Sequence, residues 1–439
     1  MTGLQSRLAI KSMMALSISL PIAASGSGEL DPTFGTNGVV ITDVVNEWGE
    51  AIAIQPDGKI VVAGEINTGT ATNKDILLVR YESDGSIDTT FGTDGMVSTD
   101  INQSVDSTTA IFIQSDGKIV VSGHTPVNTP PYSSGFLLRY DSEGNLDDAF
   151  GANGMVTCAC EFLNDVFAQS DGKLIATGGN RIMRFESTGV PDNGFGTAGV
   201  VELATGGEML SLSELILQAD GKILVGGTKS YTATEPFDVN FLLARIESDG
   251  TTDIAFGSAG IAEWDFNGYY DWLNALAILS DGKIIAGGQG NPGTGSSELT
   301  LARYTTDGSL DPTFDSGGFV HLSDDPNSVF ITDIAPLADG RLLALTRISY
   351  ESSFMTYRLA RFEADGQLDT TFGNQGFVDP PSTPFAERNA WAMAMQPDHK
   401  AVLAGGYESG VYSDVLVARY KNVVSTQVFG NGFELAPVD

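Results

Sequence analysis

Positive charge is scarce in this chain: 23 Lys and Arg stand against 56 Asp and Glu, a formal net charge of -33 over 439 residues. So acidic a surface repels phosphate backbones and anionic membranes, which excludes nucleic-acid binding. Cysteine is rarer still. Cys158 and Cys160 are too few for a disulfide framework. A bridge across one intervening residue would be strained, and two thiolates with no histidine close in sequence make no zinc site. Two free or locally paired thiols are expected. The three histidines, His124, His321 and His399, stand apart from any nucleophile, and no Gly-x-Ser-x-Gly elbow, His-Glu-x-x-His helix or dinucleotide glycine loop occurs. Long apolar runs are missing too: Ser12 to Ala24 is too short to span a bilayer.

That run has the form of a secretory signal. Arg7 and Lys11 precede it, Pro21 lies near its end, and Ala23-Ala24-Ser25-Gly26 supplies small residues. Residues 1–25 are therefore expected to be a signal peptide, and the protein to be exported to the periplasm, cell surface or exterior.

What the chain has in quantity is glycine, 52 residues, and one stretch written seven times. Its clearest copy is Gln55-Pro56-Asp57-Gly58-Lys59-Ile60-Val61-Val62-Ala63-Gly64, and its Asp recurs as Asp57, Asp116, Asp171, Asp220, Asp281, Asp339 and Asp398. A fixed period, here about 58 residues, marks a repeat architecture. Asp-Gly between apolar runs is a hairpin signal, since Gly supplies the positive φ that the tight turn needs. A third apolar run carries Arg80, Arg139, Arg184, Arg245, Arg303, Arg361 and Arg419, and a Phe-Gly mark leads to a short fourth. Near-continuous apolar second and third runs fit strands covered on both faces. The first Phe mark, Phe34, precedes any hairpin, so Val39-Val40-Ile41-Thr42 is left to complete the last repeat.

These features predict an all-β, seven-bladed β-propeller of four-stranded blades over residues 26–430, closed by the N-terminal strand, with a tail at 431–439. An open β-solenoid is the alternative; its repeats are usually shorter and more uniform. Two repeats are irregular: the third is short, with Gly179-Asn180-Arg181 in place of a long loop, and the sixth has Thr346 where the others place Gly.

Leu310-Asp311-Pro312-Thr313-Phe314, Gln396-Pro397-Asp398 and Leu138-Arg139-Tyr140, read as one pattern over residues 30 to 430, resemble the bacterial delta-60 repeat. The resemblance implies a propeller in secreted or surface proteins and transfers no catalytic residues. His399 and Asp315 replace Gly in two turns, which puts the shape of those turns in doubt. Val428 to Glu434 is similar to the short tails of some exported Gram-negative proteins.

Three sets of residues are candidates for function. The turn carboxylates, with Asp84, Asp249, Asp307 and Asp365, suit either calcium or their own backbone; no copy has the spacing of a calcium loop, and turn formation is favoured. The repeated Arg should be paired when buried, with a nearby turn Asp as the expected partner. The variable connections, which should share one face around the channel, hold Tyr132, Tyr231, Phe237, Tyr350 and Tyr407. They also hold the stretch Trp264-Asp265-Phe266-Asn267-Gly268-Tyr269-Tyr270-Asp271-Trp272. Trp264, Asp265, Tyr269, Tyr270 and Asp271 are the candidate ligand residues there, since aromatic planes beside carboxylates suit a sugar or a protein hot spot. Trp272, placed before its Asp-Gly turn as Trp48 is, reads as a packing residue. The function expected is an exported non-enzymatic binding or scaffold module for a protein or glycan, with no cofactor required. The alternative is a hydrolase or lyase acting on polysaccharide at the channel mouth, with acidic pairs such as Asp324 and Asp325.

Overall fold

A computed structural model describes residues 28–421, apart from 44–46, 68–72, 129–131, 159, 205, 232–237, 267–269, 292–295, 324–326, 350–354, 381–386 and 409–412. The signal segment 1–25, the tail 431–439, Phe237, Tyr269, Asp324, Asp325 and Tyr350 lie outside the described residues.

The hairpin pattern builds a seven-bladed β-propeller of four-stranded antiparallel blades. Blade 1 is Glu47–Ile54, Ile60–Asn67, Lys74–Tyr81 and Met96–Thr99, from inside to outside. First strands of successive blades contact one another around the whole ring, including the first with the last. Val39–Thr42 pairs with Ser413–Lys421, Val39 opposite Ala418, and Glu29–Leu30 joins the same strand. The last blade is thus built from both ends of the described chain, as the offset of Phe34 implied.

Apolar burial lies between blades rather than inside them. One core joins Val61, Leu78 and Phe91 of blade 1 to Val121 and Leu138 of blade 2, and another joins Ile60 and Val79 of blade 1 to Val402 and Val417 of blade 7. Second and third strands are buried on both faces because each meets a neighbour on either side.

At the rim of each blade an acidic node holds the wedge. Asp88, the Asp before Phe91, takes Lys59 Nζ at 2.7 Å and Arg80 Nε at 2.7 Å. The Arg80 guanidinium lies 4.4 Å from the Phe91 ring centroid and donates to the Ser142 carbonyl of the next blade. The set recurs with Asp147, Asp192, Asp253, Asp311 and Asp369, and in the closing blade with Asp31, which bonds Arg419 at 2.9 Å. This corrects the expected pairing: Arg does not pair with the Asp-Gly turn. Asp57 Oδ1 accepts from its own Lys59 N at 3.1 Å, whereas the partner Asp lies on the connection after the third strand. Arg419 donates to Ser83 of blade 1 and closes the ring.

The expected distortion at the two substituted turns is absent: His399 (φ 62°) and Asp315 (φ 39°) keep the left-handed geometry of the glycines they replace. Gly64 answers a different need. A Cβ there would lie 1.7 Å from the Trp48 carbonyl oxygen, across the bulge of the first strand. Blade 6 admits Thr346 at that position, with Oγ1 bonding the Arg358 carbonyl at 3.0 Å. Cys158 and Cys160 form a disulfide, which corrects the free-thiol alternative.

Removing one node carboxylate leaves buried cations uncompensated. Asp369→Asn, facing Arg361 at 2.7 Å and Arg341 at 2.6 Å, should lower unfolding free energy by about 3–5 kcal/mol in urea titrations. Asp57→Asn, in an exposed turn, should change it little.

Candidate functional site

With the rim nodes tied into the scaffold, the ungoverned chemistry lies at the inner strands and on the face opposite the Asp-Gly turns. The connection from blade 4 to blade 5 holds the aromatic stretch. Trp264 ends the outer strand of blade 4 and Trp272 starts the inner strand of blade 5. Trp264 and Tyr270 are each 38% exposed and Trp272 is 42% exposed, so Trp272 occupies the expected strand position without being packed away. Asp271, between two exposed rings, points inward and is fully buried. Its Oδ2 accepts from Phe266 N at 2.7 Å, and burial with the charge of Asp265 pushes its pKa up to about 7. Asp106 holds the Ile101 amide in the same way at 2.7 Å in the connection from blade 1 to blade 2. Asp271 is therefore the clamp that shapes this connection, and the rings of Trp264 and Tyr270 are what it presents.

The other candidates are scattered. Tyr132 is 67% exposed on a separate loop. Tyr231 bonds Glu263, which also takes Asn240 Nδ2 at 2.9 Å and Lys229 Nζ at 3.0 Å. Tyr407 packs at the margin of the core between blades 6 and 7. His321 Nδ1 meets Thr300 Oγ1 at 2.9 Å, but Thr300 is fully buried and presents no nucleophile. Among the described residues no three His, Cys, Asp or Glu converge to hold a metal ion.

The inner strands carry groups that sequence reading missed. Glu214 and Asp333 follow the first-strand bulge, where other blades place Ala51, Ala110, Ala275 and Ala392, and Asp165, opposite Thr177, holds the same place in blade 3. Asp165 Oδ2 accepts from Leu215 N of the next blade at 2.9 Å, and Asp333 Oδ2 from Met393 N at 2.8 Å. Burial raises the pKa of Asp165 to about 6 and of Asp333 to about 7; burial and both neighbours raise that of Glu214. An acidic residue at a repeated alanine position was the available signal.

The bulge residues themselves stitch blade to blade. Thr109 bonds the Leu163 carbonyl at 2.6 Å, Asn164 the Leu212 carbonyl at 2.6 Å, Ser213 that of Leu273 at 3.2 Å, and Asn274 that of Ile331 at 3.0 Å. Among the described residues the series stops there. Thr332 turns back to its own blade, and Trp391 Nε1 has no partner. Glu50, the next in line, has its pKa raised to about 7 by burial and by Glu65. In blades 6, 7 and 1 the bulge residues therefore make no such stitch, and Asp333, bonded to Met393 N, is the side chain that ties blade 6 to blade 7 there.

Five stretches, residues 55–91, 114–150, 218–256, 279–314 and 337–372, match the family model of a domain of unknown function described as a beta-propeller, DUF5122. These repeats are those of a β-propeller repeat family. No curated protein matches the sequence. Among solved structures, the polysaccharide lyase Uly1 is similar at 11% identity, covering 91% of this chain and 94% of its own, with a TM-score of 0.49. An ulvan lyase of a new polysaccharide lyase family is similar at 12% identity, covering 87% and 96%, with a TM-score of 0.48. The virginiamycin B lyase from Staphylococcus aureus is similar at 10% identity, covering 87% and 98%, with a TM-score of 0.46.

Carboxyls with native pKa values above their unfolded values bind protons in the folded protein first. Between about pH 4 and 7, Glu50, Asp271 and Asp333 hold protons that the unfolded chain has released. Unfolding free energy should therefore rise as pH falls from 8 to 5. It should drop again below about 4, where the unfolded chain takes up protons that carboxylates of depressed pKa such as Asp253 do not yet bind in the folded protein. Urea titrations across pH check this, and Asp333→Asn should flatten the rise; a curve in that variant as steep as in the parent would assign the effect to net charge alone.

Proposed function

We propose that the chain is a non-enzymatic binding module of the delta-60 type, exported from a Gram-negative cell, that engages a glycan or protein through the connection between blades 4 and 5. One observation carries this reading. Trp264, Tyr270 and Trp272 are exposed within nine residues of chain, on a connection that the buried Asp271 holds in shape. Large aromatic rings on a braced backbone lose little conformational entropy on binding and supply flat apolar faces, with Asp265 as a nearby acceptor for hydroxyl or amide donors. The repeated charges elsewhere are consumed by the rim nodes. No helix of the described residues is long and apolar enough to cross a membrane.

Calorimetric titration of the mature protein with a panel of neutral and acidic polysaccharides tests the glycan reading. Trp264→Ala with Tyr270→Ala should weaken a bound glycan at least tenfold, in line with about 2 kcal/mol or more for a hot-spot aromatic. Equal affinity in the double variant would remove this connection from the reading. Melting in EDTA and in millimolar calcium tests the turn carboxylates separately; a rise with calcium would give them a metal-binding role.

A second reading, a hydrolase or lyase, rests on the inner carboxyls. Burial raises the pKa of Asp333 to about 7 and of Asp165 to about 6, toward the range a general acid needs. Each also accepts a backbone amide from the next blade, which fits a structural role equally well. Polysaccharide turnover by the parent protein and its loss in a folded Asp333→Asn variant would favour the enzyme.

A further inference from the structure

Nine arginines are buried among the described residues, and eight of them answer to a carboxylate. Arg80, Arg139, Arg184, Arg245, Arg303, Arg341, Arg361 and Arg419 each have a rim Asp at 2.6–2.9 Å. Arg347 is the exception. It is 7% exposed, its Nε has no hydrogen-bond partner, and one Nη meets only the Met355 thioether at 2.7 Å. No carboxylate of the described residues lies within ion-pair distance of it. Burial pulls its pKa down to about 10, and Glu50 acts on it only as a more distant charge.

A buried cation without a counter-charge is costly, and a scaffold that pairs its eight other buried arginines among the described residues has the means to avoid it. The surroundings of Arg347 are also specific. Its guanidinium lies 3.5 Å from the Trp391 ring centroid and 5.5 Å from that of Phe330. Trp391 Nε1 is a second buried donor with no acceptor. Both residues stand in the arc of blades 6, 7 and 1, where the bulge stitches stop. There Trp391 and Glu50 hold the positions that Asn164 and Asn274 use to lock neighbouring blades elsewhere. Blade 6 is also the blade whose bulge glycine is replaced by Thr346, directly before Arg347.

We propose that Arg347 and Trp391 form a binding site for a carboxylate group at the inner strands of blades 6 and 7. Two buried donors without acceptors, one of them cationic, call for an anionic acceptor. A planar guanidinium matches a carboxylate through two parallel N–H···O bonds. The net charge of -33 weighs against a multiply charged anion. The site is independent of the aromatic connection between blades 4 and 5, so either can fail without the other.

The test uses the mature protein with sodium acetate, sodium glucuronate and sodium sulfate at fixed ionic strength in sodium chloride, and glucose as the uncharged control. Calorimetry should show saturable binding of acetate and glucuronate and none of glucose. Arg347→Gln should weaken binding at least tenfold and Trp391→Phe severalfold, while Arg358→Gln, at a surface pair with Asp379, should leave it unchanged. Because the parent carries an unpaired buried charge, Arg347→Met should melt higher than the parent in ligand-free buffer. Undiminished affinity in Arg347→Gln, or no saturable carboxylate binding by the parent, would overturn the site. Sulfate binding tighter than both carboxylates would overturn the ligand class. Should the Arg347 variants not fold, the anion comparison on the parent and the Trp391→Phe titration still decide.

Discussion

The rim node of Asp, Arg and Lys is the constraint on which the ring depends. One buried carboxylate fixes the Arg of the third strand, the Lys after the hairpin turn and the connection that leads to Phe. The same Arg rests on that Phe and reaches the backbone of the next blade. A contact within one blade is thereby made into a contact between two. The apolar wedges supply most of the driving force, but they are non-directional. The node sets the angle and register at which each wedge closes, and its repetition makes seven similar steps return to the start.

A ring of equal steps has no preferred place for a ligand, so function must come from departures from the repeat. The departures are local and of three kinds. Between blades 4 and 5 a buried clamp presents exposed aromatic rings. On the inner strands of blades 3, 4 and 6, carboxyls replace alanine. Around blades 6, 7 and 1 the stitches made by the bulge residues stop, and an arginine without a carboxylate partner stands beside an indole. The scaffold is saturated elsewhere: rim charges are paired, and turn carboxylates bond their own backbones.

The fold was legible because its determinants are local and repeated. Asp57-Gly58 announces a hairpin, Val61-Val62-Ala63 a covered strand, and the offset of Phe34 a blade shared by both ends. The partner of Arg80 was misread because two aspartates per repeat lie near it in sequence, and only the path of the chain after the third strand brings Asp88 to it. Trp264 and Tyr270 were legible as unusual residues in a variable connection. Asp271 was legible as unusual too, but its inward direction depends on its bond to Phe266. Arg347 gave no signal at all. Its lack of a partner is a property of the neighbouring blades, and no single repeat encodes it.

The closing blade has a consequence for how the protein is made. Strand Val39–Thr42 is made before any of the seven hairpins and, among the described residues, pairs with the strand Ser413–Lys421, made after all of them. Six blades can form as they are synthesised, while the early strand waits as an unpaired edge with its apolar side chains uncovered. A product broken off before Ser413 has no partner for that strand and no Arg419 to reach Ser83. Closure is thus a check on the last blade: the ring forms only once the chain has been made through Lys421, and shorter products keep an open edge.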